Sequence, residues 1–172
     1  MAEVGLIAPD ARVELLEGVI IDMMPIGPLH GGAVKQLSNS LFQPTNGRWV
    51  VSTQDPLHLG PKSEPVPDLM LLRPREDFYA TSHPVAADVF LIVEVAASSL
   101  ERDREDKLPI YAKAGIVEVW IVNLPEQQIE IYRDPNPAGY TTVQIARVTD
   151  EVSPLLLPEI SFPVARLVCR PR

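Results

Sequence analysis

Asp88-Val89-Phe90-Leu91-Ile92-Val93-Glu94-Val95-Ala96 leads into Ala97-Ser98-Ser99-Leu100-Glu101-Arg102-Asp103-Arg104-Glu105-Asp106-Lys107-Leu108-Pro109-Ile110-Tyr111-Ala112-Lys113-Ala114-Gly115, and Ile116-Val117-Glu118-Val119-Trp120-Ile121-Val122-Asn123 follows. The first segment is a near-continuous apolar run rich in Val and Ile, as in a strand covered on both faces. The second has helical spacing and ends at Gly115, a residue suited to a helix C-terminus. The third is again a buried-strand pattern. Strand, helix and strand with short joints make a βαβ unit, so both strands belong to one sheet with the helix on its face.

Glu94 breaks the apolar pattern near the end of its strand. A carboxylate buried without a partner is prohibitive, so Glu94 must reach solvent, a cation or a proton. Two readings stand: an ion pair with Arg102 or Lys107, or a metal ligand. The choice turns on whether other carboxylates converge there.

The rest of the chain gives candidates. Val13 to Leu16 and Val19 to Met24 flank Glu17-Gly18 and read as an N-terminal β-hairpin. From His30, Ala33, Val34, Leu37 and Leu41 fall at helical spacing, and Pro44 ends that helix. Trp49 to Val51 and Leu57 to Leu59 read as strand pieces. Asp68 opens the short buried strand Leu69 to Leu72 after a Pro-rich loop. If that strand runs antiparallel to the Glu94 strand, the two acids meet at one edge. Gln128 to Arg133 and Tyr140 to Val148 read as further strands, with a turn from Asp134 to Gly139 between them.

In the central helix Ser98 and Glu101 have capping-box spacing, and Asp103, Lys107 and Tyr111 share one face. Pro109 lacks a backbone donor, so the helix is either kinked there or regular only from about Asp106. Either way Lys107 lies near the edge from which Glu94 emerges. Two carboxylates a few ångströms apart repel unless a cation lies between them, and such hard oxygen ligands suit Mg²⁺ or Mn²⁺. A nearby lysine would stabilise charge building on a phosphate. His30 at a helix start reads as a cap or packing residue, Tyr111 as a ring packed on the sheet, and Trp120 as a core or interface aromatic.

Composition sets the outer bounds. The 172 residues carry a net charge of −8, which argues against a general DNA-coating protein but not against an enzyme with metal in its site. Eighteen prolines punctuate an otherwise globular composition and imply short, stiff loops. The single Cys169 suits a reducing cytoplasm, and no segment is long and apolar enough for a membrane span. Residues 1–10 read as a weakly ordered lead-in to a single domain spanning 1–172.

Pro67-Asp68, Glu94-Val95-Ala96 after its apolar strand, and Asp103 with Lys107 and Tyr111 together resemble the PD-(D/E)xK nuclease superfamily. More narrowly the chain is similar to the Uma2 family of restriction-endonuclease-like proteins. Glu14-Leu15-Leu16-Glu17-Gly18, Pro28-Leu29-His30-Gly31, Ser63 to Asp68 and Gly115 to Asn123 resemble that family's motifs in order. The resemblance implies an α/β fold with a restriction-endonuclease-like core: a mixed central sheet flanked by helices. It implies that Asp68 and Glu94 bind metal and that Glu14 helps bind metal or position water. Lys107 would be a displaced catalytic lysine, because Ala96 occupies the usual slot two residues after the acid. The implied activity is Mg²⁺- or Mn²⁺-dependent hydrolysis of DNA by a homodimer. The rival readings are a catalytically inactive nuclease-like dimer that binds DNA or protein, a small-molecule metal hydrolase, and a structural oligomer.

Overall fold

The computed structural model describes residues 11–23 and 25–168. The lead-in expected over 1–10, Met24 at the end of the hairpin, and Cys169 lie outside these residues. The hairpin pairs β1 (Val13–Leu16) with β2 (Val19–Asp22) in antiparallel register. Helix α1 follows at Pro28–Phe42, with Pro28 in its first turn, where a missing N–H costs nothing.

The central sheet has six strands in the order β3-β4-β5-β6-β7-β8. These are Val50–Thr53, Leu69–Leu72, Val89–Ala96, Glu118–Asn123, Gln128–Asn136 and Gly139–Arg147. β5 and β6 are parallel and every other neighbouring pair is antiparallel, so the βαβ unit sits at the centre of a mixed sheet. All six β6 side chains are buried, as is all of β5 except Phe90, which matches their unbroken apolar runs.

Alternation along the strands divides the core into two layers. Leu69, Leu71, Leu91, Val93, Val95, Trp120 and Val122 face α1 and the C-terminal segment. Met70, Leu72, Ile92, Ala96, Val119 and Ile121 face the central helix through Leu108 and Tyr111. Trp120 is therefore a core residue. The C-terminal segment, which the sequence pattern left unread, comprises β9 (Glu151–Val152), β10 (Phe162–Pro163) and α3 (Val164–Leu167). It covers the α1 side with Leu157, Ile160, Phe162, Val164 and Leu167.

The central helix, α2, spans 100–113 and departs from its expected form. It opens as a single α turn at Leu100–Arg102, widens to a π turn at Asp103–Lys107 and resumes as α over Leu108–Lys113. The Leu108 N–H donates to the Asp103 carbonyl five residues back. That wide turn comes just before Pro109, whose ring could not have continued an unbroken α ladder. The capping box is not made: Ser99, not Ser98, is the N-cap, and no side chain caps the helix. The Ser99 hydroxyl instead donates to Asp103 Oδ2 at 2.8 Å, because that buried acid needs a donor more than the helix end does.

Two other boundaries shift. Leu57 to Leu59 forms no strand, only an isolated His58–Val85 bridge, since Pro56 and Gly60-Pro61 close in on both sides. β7 runs through Asp134 at φ 58° to Asn136, and Asn136 pairs with Gly139, so the turn narrows to Pro137-Ala138.

Leu37 is fully buried between α1 and the sheet, whereas Phe42 on the same helix is 63% exposed. Leu37→Ala is expected to lower unfolding stability by about 2–5 kcal/mol and Phe42→Ala by under about 0.5 kcal/mol, read from urea midpoints at constant m.

Candidate active site

The antiparallel β4–β5 pairing sets Leu69 opposite Val93, so Asp68, one residue earlier, comes level with Glu94. The Asp68 N–H donates to Glu94 Oε2 at 3.3 Å, and the Val95 N–H donates to Asp68 Oδ2 at 2.9 Å. The two acids are thus tied together through backbone on neighbouring strands. Glu94 is only 2% exposed. From α2, Lys107 Nζ donates to Glu94 Oε1 at 3.2 Å and the Tyr111 hydroxyl donates to the same oxygen at 2.6 Å.

Glu14, buried on β1, joins this cluster from the hairpin. Its Oε2 lies 3.4 Å from Lys107 Nζ, and its Oε1 accepts from Arg102 Nη2 at 3.0 Å. Asp68, Glu94, Lys107 and Glu14 therefore lie in one contiguous group, contributed by the β4 and β5 edges, α2 and β1. The two cations offered for Glu94 divide: Lys107 contacts both glutamates, while Arg102 contacts Glu14.

Two contributors escaped the sequence reading. His30 is not a cap or a packing residue, because its Nε2 sits 2.9 Å from Asp68 Oδ1. Its place in the first turn of α1 aims it at the sheet edge, but that needed the tertiary crossing of α1 over β4. Gln54 donates to the same Asp68 oxygen at 3.2 Å from just beyond β3, in a left-handed conformation at φ 55°. A polar side chain directly after an apolar strand was the available signal. Asp103, also buried, completes the acidic set.

Electrostatically the cluster is acid-rich. Burial pushes the Glu94 carboxyl up to about 8, against the pull of Lys107 and with help from the Asp103 and Asp68 charges. Burial likewise raises Asp103, with Lys107 opposing it. Burial works against the Lys107 ammonium, but Glu94, Glu14, Asp103 and Asp68 outweigh it and hold its pKa above the ordinary lysine value. Burial would raise Asp68, yet the His30 contact and the Val95 and Gln54 donors keep it below the usual carboxylate value. The hydrogen bond to Asp68 raises His30.

Carboxylate oxygens are the donor type that suits a hard divalent cation. Four carboxylates face Lys107, Arg102 and His30, and burial, aided by the Asp103 and Asp68 charges, raises Glu94 against the pull of Lys107. Among the described residues no group of three or more His, Cys, Asp or Glu side chains is arranged to hold a metal ion. Asp68 and Glu94 are the pair that could hold such an ion, because two carboxylates leave positions for water and substrate, the manner in which Mg²⁺ is usually held.

The sign of the pH effect follows from Glu94. Its folded-state pKa of about 8 lies above the ordinary 4.5, so the folded protein holds the extra proton between those values. Stability is then lost as pH rises through about 8. His30, also raised, acts in the same direction above its ordinary 6.5. In EDTA, unfolding stability is expected to fall between about pH 5 and 8 by on the order of a few kcal/mol and to level off above that, and Glu94→Gln should flatten most of that fall. Parallel profiles for the two proteins in thermal melts would contradict the assignment.

No curated protein matches the chain. Among solved structures it is similar to "a putative nuclease belonging to DUF820 from Anabaena variabilis ATCC 29413", with a TM-score of 0.72 and 20% sequence identity. That match covers 96% of this chain and 94% of the other, and it establishes a shared fold. The Uma2 family, described as "Putative restriction endonuclease", matches residues 3–165, nearly the whole sequence and every element of the acid cluster. The chain belongs to the Uma2 family.

Proposed function

We propose that this chain is a Mg²⁺- or Mn²⁺-dependent endonuclease that hydrolyses phosphodiester bonds in DNA, acting as a single domain and paired as a homodimer. The observation that carries this reading is the meeting of Asp68 and Glu94 across β4 and β5, with Lys107 Nζ 3.2 Å from Glu94. Membership of a family described as restriction endonucleases supports the same chemistry.

Asp68 and Glu94 would hold the cation. A bound divalent ion would supply Lewis-acid polarisation of a phosphoryl oxygen and a lowered pKa for attacking water. The protein's own groups do the rest. His30, Gln54 and the Val95 N–H fix the Asp68 carboxylate from three directions. The Tyr111 hydroxyl and Lys107 hold Glu94 Oε1, while the Asp68 N–H holds Oε2, so the carboxylate is fixed in orientation. Lys107 keeps a full positive charge beside the acids, where it would stabilise charge accumulating on the phosphate. Glu14 restrains that lysine and would assist in ordering water. Exposed Val19 and Ile20 on the hairpin, and Val143 and Ile145 on β8, support a homodimer whose two sites would address both strands.

One observation favours a second reading, a catalytically inactive nuclease-like dimer that binds DNA or protein. Lys107 is already held by two glutamates, and Ala96 stands in the position two residues after Glu94.

Cleavage of duplex DNA in Mg²⁺ or Mn²⁺ distinguishes them. The wild type is expected to cut, with Glu94→Ala and Lys107→Ala each losing at least about a hundredfold in rate. Equal residual cutting by both variants would identify a contaminant and favour the inactive form. Mn²⁺ is also expected to raise the melting temperature of the wild type, and to do so much less for Asp68→Ala, because only a ligand of the folded state stabilises it.

A further inference from the structure

Beyond the acid cluster, α2 carries a second buried glutamate–cation arrangement. Register places Glu94, Ile121 and Glu130 in one row across β5, β6 and β7, on the face that α2 covers. Glu94 and Glu130 are therefore two strand spacings apart, about 10 Å. Arg104 sets Nε and Nη2 against the two oxygens of Glu130, at 2.9 and 2.6 Å. Asn123 Nδ2 at 3.1 Å and the Tyr132 hydroxyl at 2.7 Å donate to the same carboxylate. Four donors on about four lone-pair sites satisfy Glu130 completely and lock the guanidinium in plane with it.

The pairing is asymmetric in exposure. The Glu130 side chain is 0% exposed, while that of Arg104 is 43% exposed. Arg102 repeats the pattern: 30% exposed, it is held through one nitrogen by Glu14, which is 2% exposed. In both arginines Nη1 meets no acceptor among the described residues. Each guanidinium is thus gripped from below and offers donors outward. Arg102 is held toward the hairpin by Glu14 and Arg104 toward β7 by Glu130.

Arg133, which grips buried Glu118 on the other face, is 22% exposed and also donates to the Ser153 carbonyl, whereas among the described residues Arg102 and Arg104 contact only their glutamates and are more open to solvent. A buried carboxylate under an arginine costs desolvation that an apolar pair would avoid. A chain of net charge −8 has a reason to accept that cost where a polyanion must approach its acidic centre. We propose that Arg102 and Arg104 are the phosphate clamps of this protein, holding the nucleic-acid backbone on the two sides of the bond presented to the Asp68–Glu94 cluster. The proposal rests on the nuclease reading for its substrate. It adds that backbone affinity comes from two arginines preset by Glu14 and Glu130, and that this affinity is independent of sequence.

The test is fluorescence anisotropy with a short labelled DNA duplex in Ca²⁺, over a series of NaCl concentrations. Arg104→Gln and Arg102→Gln are each expected to weaken binding roughly tenfold on any sequence, and to reduce the slope of log K against log salt by about one. Arg104→Lys should keep the slope while losing part of the affinity, because the charge remains but the fork does not. Arg48→Gln, beyond the far end of α1 and paired with Glu159, should change neither. Folded glutamine variants with wild-type affinity and slope would overturn the proposal, as would a wild type without salt-dependent binding. If Arg104→Gln does not fold, unchanged affinity in both Arg102→Gln and Arg104→Lys overturns it equally. Cleavage of the same duplex in Mg²⁺ separates the two ideas. Cutting with normal binding by the variants removes the clamp alone. Binding with the expected slopes but no cutting removes the nuclease reading and leaves the clamp.

Discussion

A glutamate with almost no access to water, in the middle of a hydrophobic sheet, is the constraint from which the rest of this structure follows. Glu94 can be tolerated only because an ammonium and a phenol reach its Oε1 from α2 while a backbone N–H from β4 reaches its Oε2. Those three donors come from two elements far apart in sequence, so satisfying one carboxylate fixes the docking of α2 and the β4 register together. The same donors leave the cluster acid-rich overall. An arrangement tuned for stability alone would have matched the charges or removed them.

The sheet was readable because its central strands are apolar on both faces, and few structures other than a covered βαβ unit accommodate two such runs joined by an amphipathic segment. Parallel pairing of β5 with β6 follows from that pattern, whereas the antiparallel pairing of β4 with β5 was a condition that only the structure met. The acids Asp68 and Glu94 stood out as polar residues at the ends of greasy strands, and Lys107 as a cation on the adjoining helix. What stayed hidden depends on tertiary crossing. His30 meets Asp68 because α1 passes over the end of β4, a contact 38 residues apart that no local spacing encodes. Ser99 abandoned the cap expected near it because a buried neighbouring acid competed for its hydroxyl. The C-terminal segment, with prolines interrupting its periodicity, gave no pattern until its apolar residues were seen against α1.

Glu118 offers a useful contrast. It lies on the opposite face of β6 from Ile121, as fully buried as Glu130, and accepts from Trp120 Nε1 and Arg133 Nε at 2.9 and 2.8 Å. The chain therefore buries several glutamates in one sheet, and burial alone does not single out a reactive group. Burial raises the proton affinity of Glu94, with the Asp103 and Asp68 charges adding to it, whereas the four hydrogen bonds to Glu130 pull that group downward despite its burial.

The wide turn in α2 has a bearing on how this sequence can vary. One surplus residue per turn advances everything after it by about 100° around the helix axis. Across that turn Asp103, Lys107 and Tyr111 all look inward while Arg102 and Arg104 keep their heads partly in solvent. Shortening the 103–107 segment by a single residue would swing the tyrosine off its carboxylate and turn the second half of the helix toward a different part of the sheet. Substitutions in this stretch change chemistry one group at a time. A change of length would rewire the whole wall at once, so the number of residues between Ser99 and Tyr111 is itself under physical constraint.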